Sequence, residues 1–203
     1  SDTYHAPGAA KRLEQAANRW PMKAFTHYVA GEDDGSWFNS PEGIDFLGTA
    51  EQLGLIASIS MAPHHQNELR KAIERHPSLN FLFHHMSGLR AHGDDARANV
   101  DNVIETSKFP NAFLKLSGFH YLTNTTWNFP YKDTRWVYEE CYEAFGTNMV
   151  WGSDFPVVKK SMTHLQAIEA FRTQCDFVSE PDKRAILGGT LERLLSEARS
   201  VIK

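Results

Sequence analysis

Three short stretches set groups that move protons or hold anions where an apolar run stops. In NMVWGSDFP, residues 148–156, the run ends in Gly152-Ser153, Asp154 carries a charge at the lip, and Pro156 blocks continuation of the strand. A carboxylate at the end of a buried strand is costly unless donors, a cation or a metal meet it. Asp154 is therefore a candidate general base or metal ligand. In FLFHHMSG, residues 81–88, His85 is a candidate base, carbonyl polariser or ligand. Its neighbour His84 is expected to point the opposite way and to pack structurally, since strand neighbours alternate. In NAFLKLSG, residues 111–118, Lys115 and Ser117 share one face and suit a substrate carboxylate or hydroxyl, with an ion pair to a neighbouring strand as the structural alternative for Lys115. His27 in FTHYVAG and His120 after LSG are further candidates to line the same pocket. His64 and His65 follow Pro63 and read as surface or helix-capping residues.

These groups need elements to position them. Five apolar runs, at 23–30, 54–62, 79–87, 111–119 and 148–155, alternate with helical patterns at 8–20, 40–54, 65–76, 94–108, 133–146 and 161–174. Strands alternating with helices at this spacing predict βαβ units and a parallel sheet. Near-continuous apolar runs fit strands covered by helices. Ser40 and Pro41 suit a helix start. The end is expected to form two helices bent apart at Gly188-Gly189. In such α/β folds, active groups sit at the carboxyl ends of strands, which is where the titratable residues gather. The long loops 30–40 and 117–133 carry Trp37, Phe38, Trp127, Phe129 and Tyr131, which suit a pocket wall or lid.

The chain has 203 residues, 41% hydrophobic content and a net charge of -4, which suits a single domain over 1–203. The acidic balance argues against a nucleic-acid partner, and no apolar run is long enough to cross a membrane as a helix. Cys141 and Cys175 lie in amphipathic patterns, so reduced thiols and a cytoplasmic setting are expected. A small molecule is the expected partner.

FLFHHMSG, NAFLKLSG, MVWGSDFP and ILGGTLERLL, in this order over about 120 residues, resemble the carboxyl-terminal half of the amidohydrolase-related proteins. The resemblance is nearest to lactone hydrolases acting on pyrone dicarboxylates and sugar lactones, and the family also includes metal-dependent decarboxylases. It implies an α/β fold, a parallel (β/α) barrel, with the five runs as the fourth to eighth strands. Asp154 then corresponds to the eighth-strand aspartate that binds metal or activates water, and His85 to the sixth-strand histidine. Together they imply one divalent metal, Zn or Mn, with metal-independent hydrolysis as the alternative. The family's first strand supplies a His-x-His pair, and this sequence contains none. The expectation is a chain holding the last five βα units, with roughly 80–100 residues of a ~250-residue barrel elsewhere. Open sheet edges would favour assembly into a homo-oligomer. The implied activity is hydrolysis of a small cyclic ester, with nonoxidative decarboxylation or a catalytically inert chain as the alternatives.

Overall fold

A computed structural model describes residues 7–198. Helix and strand alternate along them. Helix α1 (Ala9–Arg19) precedes β1 (Ala24–Tyr28), α2 (Pro41–Gln52) precedes β2 (Ile56–Ser60), and α3 (Gln66–Arg75) precedes β3 (Asn80–Phe83). Then come α4 (Ala96–Ile104), β4 (Ala112–Leu116), the one-turn α5 (Phe119–Leu122), α6 (Arg135–Phe145) and β5 (Met149–Trp151). The chain closes with α7 (His164–Gln174), α8 (Glu180–Arg184) and α9 (Thr190–Glu197). The strands form one parallel sheet in the order β1-β2-β3-β4-β5, so the architecture is α/β as expected. Among the described residues, no helix is long and apolar enough to cross a membrane.

Local chemistry sets the boundaries. Ser40 Oγ accepts from the Gly43 amide at 3.1 Å, and Pro41 occupies the first helical position of α2. Helix α3 turns Leu69, Ala72 and Ile73 inward, the stripe that its 3.6-residue period requires. Cys141 and Cys175 are free and buried.

The two faces of the sheet have different fates. Phe25, Ile59, Phe81, Phe83, Leu114 and Met149 face the helices and join the main core. Ile56, Leu82, Phe113 and Val150 form an apolar layer on the opposite face, closed by Leu194 and Ala198. Because strand side chains alternate with a period of two, the next residues up that inner face are Ser58, His84, Lys115 and Gly152. The face thus changes from apolar to polar toward the carboxyl ends of the strands.

Three expectations change. Gly188 and Gly189 do not bend the chain: a π-helical stretch, Ala185–Gly189, joins α8 to α9, and Gly189 has ordinary helical angles of φ -57° and ψ -42°. Burial of Ile186, with Thr190 Oγ1 donating to the Thr147 carbonyl at 2.8 Å, holds the rod against the β5 side of the sheet. The third strand ends at Phe83, because the backbone from His85 to Ser87 turns left-handed. Of the loop aromatics, Phe38 and Tyr131 are buried, and Tyr131 donates its hydroxyl to the Thr126 carbonyl, so neither lines an open wall; Trp127 stands 82% exposed.

Phe81 is fully buried at the sheet–helix interface. Phe81→Ala is expected to lower the unfolding free energy by about 3–5 kcal/mol, read from denaturant midpoints.

Candidate active site

Asp154 lies three residues beyond β5, with a left-handed φ of 58°. Its Oδ2 accepts from the Tyr121 hydroxyl at 2.5 Å. Its Oδ1 stands 3.6 Å from His85 Nε2. That separation is too long for a hydrogen bond and leaves both atoms free to engage a third group. On the far side of the His85 ring, Nδ1 lies 2.9 Å from Ser117 Oγ. Residues that follow β3, β4 and β5 therefore converge: from the middle segment, Ser117 meets His85 and Tyr121 meets Asp154.

Two backbone devices make this convergence possible. The first is the turn at His85, Met86 and Ser87, with φ of 47°, 55° and 55°. Non-glycine residues avoid this region, so three in succession store strain. Met86 is fully buried, and Ser87 Oγ accepts from Gln66 Nε2 at 3.0 Å. Gln66 in turn accepts from Thr106 Oγ1 at 2.8 Å. The second device is Gly118, at φ 72°, where an added Cβ would sit 2.1 Å from the Tyr121 ring. Only glycine lets α5 start there and bring Tyr121 onto Asp154.

Electrostatics keep the imidazoles neutral. Burial lowers the pKa of His85, opposed by the Asp154 carboxylate and reinforced by Lys115 and His120. Burial, then the fields of Lys115 and His85, push His84 from the ordinary 6.5 to about 4, against the pull of Asp154. His120 is lowered by burial too, again opposed by Asp154. Burial and the bond to Asp154 raise Tyr121, so its hydroxyl stays protonated and donates. Burial lowers Lys115, and Asp154 opposes this.

The expected residues fall into two groups. Asp154, His85 and Ser117 meet directly, and Lys115 and His120 lie within their electrostatic reach. His27 does not join them. It stacks on Trp37 at 5.2 Å and packs against Phe38, on the helix-covered face of β1. Strand parity places it there, one residue after inner-facing Thr26 and level with Phe25. His65 acts as a cap: its Nδ1 accepts from the Ala62 amide at 3.1 Å.

His84 corrects the expectation that it points away. It keeps the inner parity of Leu82, with Nε2 2.5 Å from Ser58 Oγ and its ring against Tyr28. His85 is the residue that alternation would send outward, and the left-handed turn swings it back. Tyr121 and Ser58 join the site from outside the sequence-based candidates. A glycine just before FHY was the one available signal for Tyr121.

The implied metal would draw its ligands from this donor set. Within the Asp154–His85 pair, Oδ1 and Nε2 are the atoms left open, since Tyr121 occupies Oδ2 and Ser117 meets Nδ1. Among the described residues, no group of three or more His, Cys, Asp or Glu side chains could hold an ion. A catalytic zinc takes three protein ligands plus water, so these residues do not by themselves fit one.

Two outcomes follow. Gly118→Ala is expected to displace Tyr121 and cost about 1–3 kcal/mol of stability through its positive φ, measured by thermal or denaturant unfolding. Stability is also expected to fall on acidification. The unfolded chain protonates His84 near 6.5 and the folded chain only near about 4, so unfolding takes up a proton between these values. The contribution is complete above pH 6.5 and is lost as the pH falls toward 4. His65, His85 and His120 shift in the same direction. Denaturant midpoints from pH 7 to 4 should drop, with a shallower slope in His84→Asn; an unchanged slope contradicts the assignment.

Comparison with known proteins places this geometry in context. Solved structures with this fold include an amidohydrolase from Burkholderia multivorans with bound HEPES, at TM-score 0.83 and 17% identity over 96% of this chain and 71% of that one. The Burkholderia protein is also known with bound zinc, at TM-score 0.79 and 19% identity, with the same coverage. A probable 2-pyrone-4,6-dicarboxylic acid hydrolase from Acinetobacter baumannii, with citric acid bound, aligns at TM-score 0.75 and 17% identity over 96% and 71% of the chains. A 2,6-dihydroxybenzoate decarboxylase in complex with 2,6-dihydroxybenzoate aligns at TM-score 0.61 and 16% identity over 92% and 66%. The chain thus spans about seven-tenths of the length of the first of these relatives. A search of curated proteins finds no match. A family model described as Amidohydrolase matches residues 2–196, and with the parallel sheet and its polar carboxyl ends this shows that the chain belongs to the amidohydrolase family.

Proposed function

We propose that this chain carries the hydrolytic face of an enzyme that opens a small cyclic ester, with Asp154 as general base and His85 as carbonyl polariser. The observation that supports this reading most is the 3.6 Å gap between Asp154 Oδ1 and His85 Nε2, with the far atom of each group already engaged. Tyr121 holds Oδ2, which leaves Oδ1 to receive a proton. With Ser117 Oγ–H donating to Nδ1, the neutral His85 ring carries its hydrogen on Nε2 and can donate to a carbonyl oxygen. A water on Oδ1 would pass a proton to Asp154 as its oxygen adds to the ester carbon. When the ring C–O bond breaks, the departing alkoxide would take that proton back, yielding a hydroxy acid and regenerating the carboxylate.

A hydrolase and a decarboxylase share this fold at 17% and 16% identity, so the fold does not separate the two reactions and the open atoms of Asp154 and His85 support hydrolysis. The relative assigned to a pyrone dicarboxylate supports a carboxylated lactone as the first substrate class to try. The test is a screen of the full chain on small dicarboxylate lactones, followed by chromatography of the hydroxy-acid product. Asp154→Asn is expected to lower turnover by about 10²–10⁴-fold, the usual worth of a positioned general base. Equal rates in the two proteins would exclude Asp154 as the base, and release of carbon dioxide would favour the decarboxylase reading instead.

A further inference from the structure

Two groups on the inner sheet face hold polar atoms that nothing meets. His84 Nε2 is engaged by Ser58 Oγ at 2.5 Å, while Nδ1 is buried with no partner, in a residue only 8% exposed. Lys115 is half-buried beside it. Among the described residues its Nζ has no hydrogen-bond or ion-pair partner, although a buried amine is costly to leave unmet. The Lys115 side chain lies across Gly152, where an added Cβ would sit 2.7 Å from Cε and 3.7 Å from Nζ. Glycine at 152 thus leaves room for the amine to stand at the β5 edge of this layer. The layer lies just below the Asp154, His85 and Ser117 tier and above the dry floor of Leu82, Phe113 and Val150.

We propose that Lys115 and His84 form a carboxylate-binding subsite, in which Lys115 Nζ and His84 Nδ1–H each donate to one oxygen of a substrate carboxylate. Ser58 sets the ring for this task. With its hydroxyl donating to Nε2, the neutral imidazole carries its single hydrogen on Nδ1, the atom left without a partner. Two donors on adjacent strands match the two oxygens of one carboxylate, and a fixed anion there would hold the reacting carbonyl in the tier above. The inference rests on the hydrolytic reading only for its substrate class, a lactone bearing a carboxylate; the anion site itself stands on these unmet donors.

The experiment titrates the full chain with malonate, and separately with its neutral isostere malonamide, by calorimetry and by NMR of ¹⁵N-labelled imidazoles. Malonate is expected to bind, malonamide to bind far more weakly, and the His84 Nδ1 resonance to move on malonate addition. Lys115→Gln is expected to weaken malonate about tenfold or more, the loss of one charge-assisted bond, and Ser58→Ala to weaken it less. Equal affinity for malonate and malonamide, a stationary His84 signal, or undiminished binding in Lys115→Gln overturns the subsite. If Lys115→Gln does not fold, the His84 signal in the parent chain decides. A chain that binds malonate in this way but opens no lactone refutes the reaction alone. One that opens lactones with or without a carboxylate equally fast, and ignores malonate, refutes the subsite alone.

Discussion

A carboxylate withdrawn from water has to be met by something, and the site is organised around meeting Asp154. Tyr121 supplies a hydroxyl to one oxygen, and His85 and Lys115 lend it their electrostatic neighbourhood. The imidazoles stay neutral despite the nearby negative charge, because burial outweighs it at His84, His85 and His120 alike. A neutral ring can donate from one nitrogen and accept at the other, which a cationic ring cannot. The same desolvation that makes the carboxylate costly therefore creates a graded set of donors around it.

Bringing those donors together requires backbone that a regular strand cannot provide. Three consecutive left-handed residues after β3 carry strain of order 1–3 kcal/mol each. Burying the Met86 side chain contributes about 1.5–3 kcal/mol. The Ser87–Gln66–Thr106 chain of buried hydrogen bonds adds roughly 0.5–1.5 kcal/mol for each link. These terms are of comparable size, so the turn is held by the helices behind the sheet rather than by its own preferences. Strain placed beside the titratable groups and supported by Gln66 of α3 and Thr106 just beyond α4 is the arrangement expected where geometry must be held against local preference.

The sheet itself works as a graded surface. Its inner face runs from a dry layer at the amino ends, sealed by Leu194 and Ala198, to Ser58, His84 and Lys115, and then to the convergent tier. A ligand entering from the carboxyl ends meets charge first, then donors, then an apolar floor. As far as Ser58, His84 and Lys115 that order follows from a period of two applied to the strands at once, and the left-handed turn after β3 adds His85 to the tier above.

The amino-acid sequence by itself determined the alternation of helix and strand, the parallel sheet, the start of α2 at Ser40, and the positions of Asp154, His85, Lys115 and Ser117 near strand ends. Apolar periodicity and strand-ending residues are local properties, and local properties are written in local sequence. Tertiary structure alone decided that His84 faces inward, that His27 packs against Trp37 and Phe38, and that Tyr121 reaches Asp154. It also decided that Gly188 and Gly189 continue a helical rod. Each of these outcomes depends on where a strand stops or on what a distant element packs against. The parity rule that assigns side chains to faces loses force at the first left-handed residue, and only the buried support behind that turn determines where it falls.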